Sequence, residues 1–160
     1  VNDSANAISA TFNTSFNLQQ TTSMNATLTS LTFPTVAVSA TNQTSTNDPD
    51  TIQNTGNKDP ITIQVTGIDL AGETNASQII PTANFSVANA TSASNPECTG
   101  STFVLGATLV NNTAVSINVT ITRGSYAINS TYFCLREVPS VIIAQSYSTY
   151  KGGAWTVGVI

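Results

Sequence analysis

The sequence predicts an all-β chain built as an antiparallel β-sandwich. Three observations predict it. Thr, Val, Ile, Ser and Asn dominate while Glu, Lys, Leu and Arg are scarce, a balance that favours extended backbone over helix. Apolar residues recur at every second position in short runs. Asn, Gly and Pro separate these runs at turn positions. With 160 residues, 40% of them apolar, the chain is long enough to bury one core of its own.

The first element is the longest. Residues 6–19 read NAISATFNTSFNLQ, with Ile8, Ala10, Phe12, Thr14, Phe16 and Leu18 on one face and Ser9, Thr11, Asn13, Ser15 and Asn17 on the other. Eleven extended residues reach about 36 Å, roughly twice a usual strand. No turn residue interrupts them, and a polar joint follows at residues 19–23. A long amphipathic strand at a chain end either opens its own sandwich or completes a neighbour's sheet. In the second arrangement main-chain bonds give affinity and alternate side chains fill a groove. Repeated head to tail without closure, that contact builds a filament. It also covers each open sheet edge. We therefore read residues 1–22 as donor strand and linker, and residues 23–160 as the acceptor sandwich.

Alternation resumes at Met24, Ala26 and Leu28, at Val36 and Val38, at Ile61, Ile63 and Val65, and at Phe85 and Val87. The clearest pair is Phe103, Leu105, Ala107 and Leu109 followed by Val115, Ile117, Val119 and Ile121, with Asn111–Thr113 as the intervening hairpin loop. Residues 126–135, 141–150 and 155–160 are further strand candidates. The longest predicted loop is residues 41–60, which hold Asp48, Asp50, Asp59 and Lys58. Its oxygen ligands raise the question of a cation, but the spacing is not that of an EF-hand, so a solvated acidic loop is expected and no metal.

Charge and cysteine content exclude several functions. Only 8 Asp/Glu and 4 Lys/Arg are present, and His is absent. Four scattered cations cannot displace the counterions of a nucleic acid. Triad, general-base and metal chemistry that depend on His are closed. No apolar run reaches 18 residues, so no membrane span is expected. Glycoside hydrolysis needs two facing carboxylates, and no spacing indicates such a pair. No enzyme activity and no cofactor are expected. The chain begins at Val1 without Met or leader, which reads as a processed, exported product with its signal peptide removed. Cys98 and Cys134 fit one disulfide in an oxidising compartment.

Sequons N-x-[ST] occur at Asn2, Asn13, Asn25, Asn42, Asn75, Asn84, Asn89, Asn111, Asn118 and Asn129. These are 10 of 17 asparagines, about twice the number that 45 Ser and Thr among 160 residues give by chance. N-linked glycans imply an exterior location. Most of these positions lie in loops or out of phase with the apolar face. Asn89 continues the Phe85/Val87 phase, so its strand is expected to end before it. Lys151, beside Trp155 and with Glu137 on a neighbouring predicted strand, is a conceivable isopeptide lysine.

The N-terminal donor-like strand, the single Cys pair, the sequons and the Thr/Asn/Ser-rich surface resemble archaeal surface filaments. In particular they are similar to the subunit of the glycosylated thread filament of thermoacidophilic archaea. The resemblance implies an immunoglobulin-like sandwich and donor-strand assembly like that of bacterial chaperone–usher pilins. It also implies a homopolymer that serves adhesion to surfaces or neighbouring cells and supports biofilm. Type IV pilins, by contrast, need a long apolar N-terminal helix. A charge-poor surface suits acid as well, since hydroxyls and amides do not titrate near pH 2–3 whereas carboxylates do. The alternative is a monomeric surface glycoprotein domain, S-layer-associated or viral, that binds carbohydrate or a receptor. Tyr126, Tyr132, Tyr147, Tyr150 and Trp155 would be its stacking platform.

Overall fold

A computed structural model describes residues 15–89, 98, 107–124 and 128–160, and not the side chains of residues 118 and 119. The donor-strand residues Ile8, Ala10, Phe12 and Thr14 therefore lie outside the described residues, as do Phe103, Leu105 and Tyr126.

The chain is all-β, with antiparallel sheets. The described residues form twelve strands: β1 (Met24–Ala26), β2 (Thr41–Thr44), β3 (Asp50–Asn54), β4 (Ile61–Thr66), β5 (Leu70–Gly72), β6 (Ile79–Ile80), β7 (Phe85–Asn89), β8 (Ala107–Thr108), β9 (Ala114–Ile121), β10 (Ile128–Glu137), β11 (Tyr147–Ser148) and β12 (Thr156–Val159). The larger sheet runs β1-β3-β10-β7-β8, with β2 also on β10. A second sheet runs β12-β4-β9 and a small third one β11-β5-β6. Alternation places Ile52, Ile61, Ile63, Val65, Phe85, Val87, Leu109 and Phe133 in one shared core. Trp155 meets Phe85 edge-on at 5.0 Å and Phe133 at 6.3 Å, a favoured aromatic geometry.

Residues 41–60 are not the long loop their polarity predicts. They contain β2 and β3, which lie end to end along one side of β10. Cys134 pairs with Thr44 and Thr131 with Asp50, leaving a break opposite Phe133. There Asp48 Oδ2 accepts the Phe133 N–H at 2.9 Å and Ser45 N–H donates to Phe133 O at 3.2 Å. A carboxylate completes the ladder where the backbone bulges, and backbone pairing, not apolar alternation, makes these polar residues strands.

Three further strand expectations are corrected. Residues 107–108 and 114–121 do not form a hairpin: β8 pairs with β7 and β9 with β4, so the turn at residues 111–113 crosses between sheets. Asn112 has φ 54° there, and Thr113 N–H donates to Val110 O at 3.1 Å. Residues 141–150 give only the two-residue β11, and Val141 is exposed. Val36 and Val38 lie in irregular chain, where Leu31, Phe33 and Val36 pack on the core without joining a sheet. Apolar side chains cover a core equally well from a loop once its backbone groups find partners, as Ser39 N–H does at Val138 O, 3.0 Å.

Candidate functional site

Two of the sheets meet at a seam between β1 and β12. β1 pairs only with β3, and β12 only with β4, so the facing edges of both strands are unpaired among the described residues. A cavity of about 200 Å³ opens between them, lined by Met24, Ala26, Leu28, Leu31, Trp155 and Val157 and reaching Val65 and Phe133. Each of the six is only half-buried, whereas Val65 and Phe133 beneath them are buried. The lining is thus apolar and unfinished. Asp50 shapes one wall: its Oδ1 accepts the N–H groups of Thr27 and Leu28, both at 3.0 Å, and the Thr27 hydroxyl at 3.3 Å.

The N-terminal segment is tied down at one end. Thr21 O accepts from Asn57 N–H and Lys58 N–H, and Ser23 O from Thr55 N–H and Gly56 N–H, at 3.1–3.2 Å. Asn57 grips the same stretch, accepting the Thr21 N–H at Oδ1 and donating from Nδ2 to Gln19 O at 2.8 Å. Position 56 requires glycine, since a Cβ would run into Thr21 O and lie 2.8 Å from Ser23 N. Before this anchor the apolar face points into solvent: Phe16 is 86% exposed and Leu18 75%.

Cys98 and Cys134 form the disulfide the sequence predicts. It lies on the outer face of the larger sheet with Ala88 and Tyr132, so β7 is buried on both faces.

The remaining candidate residues are dispersed. Asp48, Asp50 and Asp59 do not converge. Asp48 caps the β10 break, Asp50 holds residues 27–28, and Asp59 accepts the Arg123 N–H at 3.2 Å beside a 4.0 Å ion pair. Among the described residues no group of three or more His, Cys, Asp or Glu could hold a metal. Burial pushes the Asp48 carboxyl up to about 6; hydrogen bonds from Phe133 and Ser45 oppose this and the nearby Asp50 charge adds to it. Its Oδ1 is buried without a partner among the described residues. Lys151 lies 5.2 Å from the Tyr150 ring and borders a cavity of about 460 Å³ together with Asp69 and Asn111, not with Glu137.

Trp155, Tyr147 and Tyr150 are each held by a hydrogen bond within the domain. Trp155 donates to Ile68 O at 2.8 Å, Tyr147 to Ile143 O at 2.8 Å and Tyr150 to Gly72 O at 3.2 Å.

Of the sequons, Asn25, Asn75 and Asn111 are exposed, and Asn42, Asn84, Asn89 and Asn129 are half-buried. β7 runs through Asn89, which pairs with Thr131. The strand does not end before this residue, because the β10 ladder extends to it. Asn2 and Asn13 lie outside the described residues, as does the side chain of Asn118.

Sequence reasoning missed the seam itself. Alternation marks Met24, Ala26 and Leu28 as inward-facing, but not that the strand beside them is lacking. Compared with protein-family models, curated proteins and solved structures, the chain matches none of them. Among the described residues no helix is long and apolar enough to cross a membrane.

Proposed function

We propose that this chain is the structural subunit of a glycosylated extracellular filament, assembled head to tail by donor-strand complementation and serving adhesion and biofilm formation. The observation that carries this reading is a match between two unfinished surfaces. The seam between β1 and β12 exposes half-buried apolar side chains and two strand edges that are unpaired among the described residues. Phe16 and Leu18, the described end of the predicted donor strand, join no sheet of their own domain and are exposed. A strand from a second copy would pair with a free edge and set alternate side chains into the seam. Each large apolar side chain so buried contributes about 1.5–3 kcal/mol. The anchor at residues 19–23 fixes where the donor leaves its domain, which gives the assembly a direction. On this reading the sandwich is immunoglobulin-like and one of its strands is supplied in trans.

Removal of residues 1–18 tests this, because it leaves the anchor intact. The truncated chain is expected to stay folded and monomeric and to bind a peptide of residues 6–18 one to one, with a rise in Tm. The intact chain is expected to form fibres under negative stain. A truncated chain that ignores the peptide, together with an intact chain that stays monomeric, overturns the reading.

A further inference from the structure

N-linked transfer needs the asparagine carboxamide and the hydroxyl two residues on to be accessible together, and the folded chain grants this very unevenly. Six sequons are described at both positions. At Asn25 the Thr27 hydroxyl is bonded to Asp50 Oδ1 at 3.3 Å. At Asn42 the Thr44 hydroxyl is directed at Cys98 Sγ, 3.6 Å away. At Asn84 the amide nitrogen donates to Glu137 O at 2.8 Å, and the Ser86 hydroxyl is buried in β7. At Asn111 the amide nitrogen donates to Asp69 Oδ2 and the Thr113 hydroxyl to the Asn111 main-chain carbonyl. At Asn129 the Thr131 hydroxyl is buried on Asp50 O.

Asn75 differs in that its hydroxyl partner bonds its own carboxamide and both groups are exposed. It lies in the loop between β5 and β6, where residues 73–77 are all exposed. Its Oδ1 accepts both the Ser77 hydroxyl at 2.7 Å and the Ser77 N–H at 3.1 Å, closing an Asx turn. Its Nδ2 has no hydrogen-bond partner among the described residues. Gln145 holds the turn in place, its Oε1 accepting the N–H groups of Thr74 and Asn75 at 2.9 and 2.8 Å.

We propose that Asn75 is the glycan acceptor that the folded chain presents ready for transfer, and that folding closes the other five. The donor class is a lipid pyrophosphate-linked oligosaccharide. Asn75 Nδ2 forms a bond to the sugar C1, and the bond from C1 to the phosphate oxygen breaks. The lipid pyrophosphate leaves with the electron pair, and one Nδ2 proton passes to base. Two donors on Oδ1 favour the form of the amide in which nitrogen can give up that proton.

The inference rests on the chain being an exported glycoprotein, not on its forming filaments. The test is transfer in vitro by a single-subunit oligosaccharyltransferase and its lipid-linked donor, with each site followed by peptide mass spectrometry. The substrates are the folded chain and synthetic peptides spanning Asn75, Asn84 and Asn111. On the folded chain Asn75 is expected to react at least about tenfold faster than Asn84 and Asn111, the ratio given by about 1.4 kcal/mol. It is also expected to keep its peptide rate while the other two fall below theirs. Equal rates on the folded chain, or an Asn75 that falls as far below its peptide rate as Asn84 does, overturns the proposal. Fibre formation by unmodified chain is read separately under negative stain, so either idea can fail alone.

Discussion

The two sides of the larger sheet are finished to different degrees. Around β7 and β10 both faces are covered: Phe85 and Val87 fill the core while Ser86 and Ala88 lie buried on the opposite face with the Cys98–Cys134 bond. At β1 the same sheet ends in a three-residue strand whose inward side chains are only half-covered. Both regions show the same alternation in sequence. They differ in what lies beside them, a crosslinked covering on one and an open seam on the other. A closed flank supplies stability, and an open one leaves apolar area and backbone bonds for a second molecule.

Four experiments can break or sharpen that contrast. The largest effect is expected from Phe12→Asp combined with Phe16→Asp. Charges on the inserting face should abolish fibres under negative stain and leave the melting of the monomer unchanged. A fall in monomer Tm would instead assign that strand to its own domain. Next, replacing Cys98 and Cys134 by Ser opens a loop of 36 residues and should lower stability by about 4 kcal/mol in denaturant titration. Binding of the residue 6–18 peptide should survive at denaturant concentrations where the domain remains folded.

Third, Gly56→Ala should destabilise by about 1–3 kcal/mol, because its Cβ collides with the anchored backbone of residues 21–23. Protease cleavage before Ser23 should rise with it.

The smallest effect concerns Asp48. Its folded-state value of about 6 lies above the usual 3.8, so folding favours the protonated form. Stability is therefore greatest below about pH 4, falls as pH rises from 4 to 6, and is level above that. The span is about 1–2 kcal/mol once solvent screening at this half-buried group is allowed for. Asp48→Asn keeps an acceptor for Phe133 N–H and should flatten the profile by raising stability at pH 7. A profile unchanged by the substitution would remove Asp48 as its cause.

Sequence alternation located the apolar face of β4, β7 and β9, and Ile61, Ile63, Phe85 and Val87 are core as it predicts. The disulfide was legible because only two cysteines are present. The sandwich-like class followed from residue types that resist helix. β2 and β3 were not legible, since Thr41, Asn42, Gln43 and Asp50 have no apolar pattern, and their strands exist only because β10 offers backbone partners. The supposed hairpin at residues 111–113 failed for a related reason: local turn chemistry sets a reversal of direction but not which sheet receives the next strand.

The sequence by itself determined that the chain is all-β, charge-poor and rich in sequons, and that apolar and polar residues alternate without interruption from Ile8 to Leu18. These are properties of residue type and period. Tertiary structure alone decided that, among the described residues, a seam stays open between β1 and β12. It alone decided that the anchor begins at Gln19, that Asp48 sits where protonation favours the fold, and that Ser77, among the sequon hydroxyls described, bonds the side-chain carboxamide of its own asparagine. Each of these depends on backbone edges and side chains brought together from distant parts of the chain, and no local pattern encodes such a meeting.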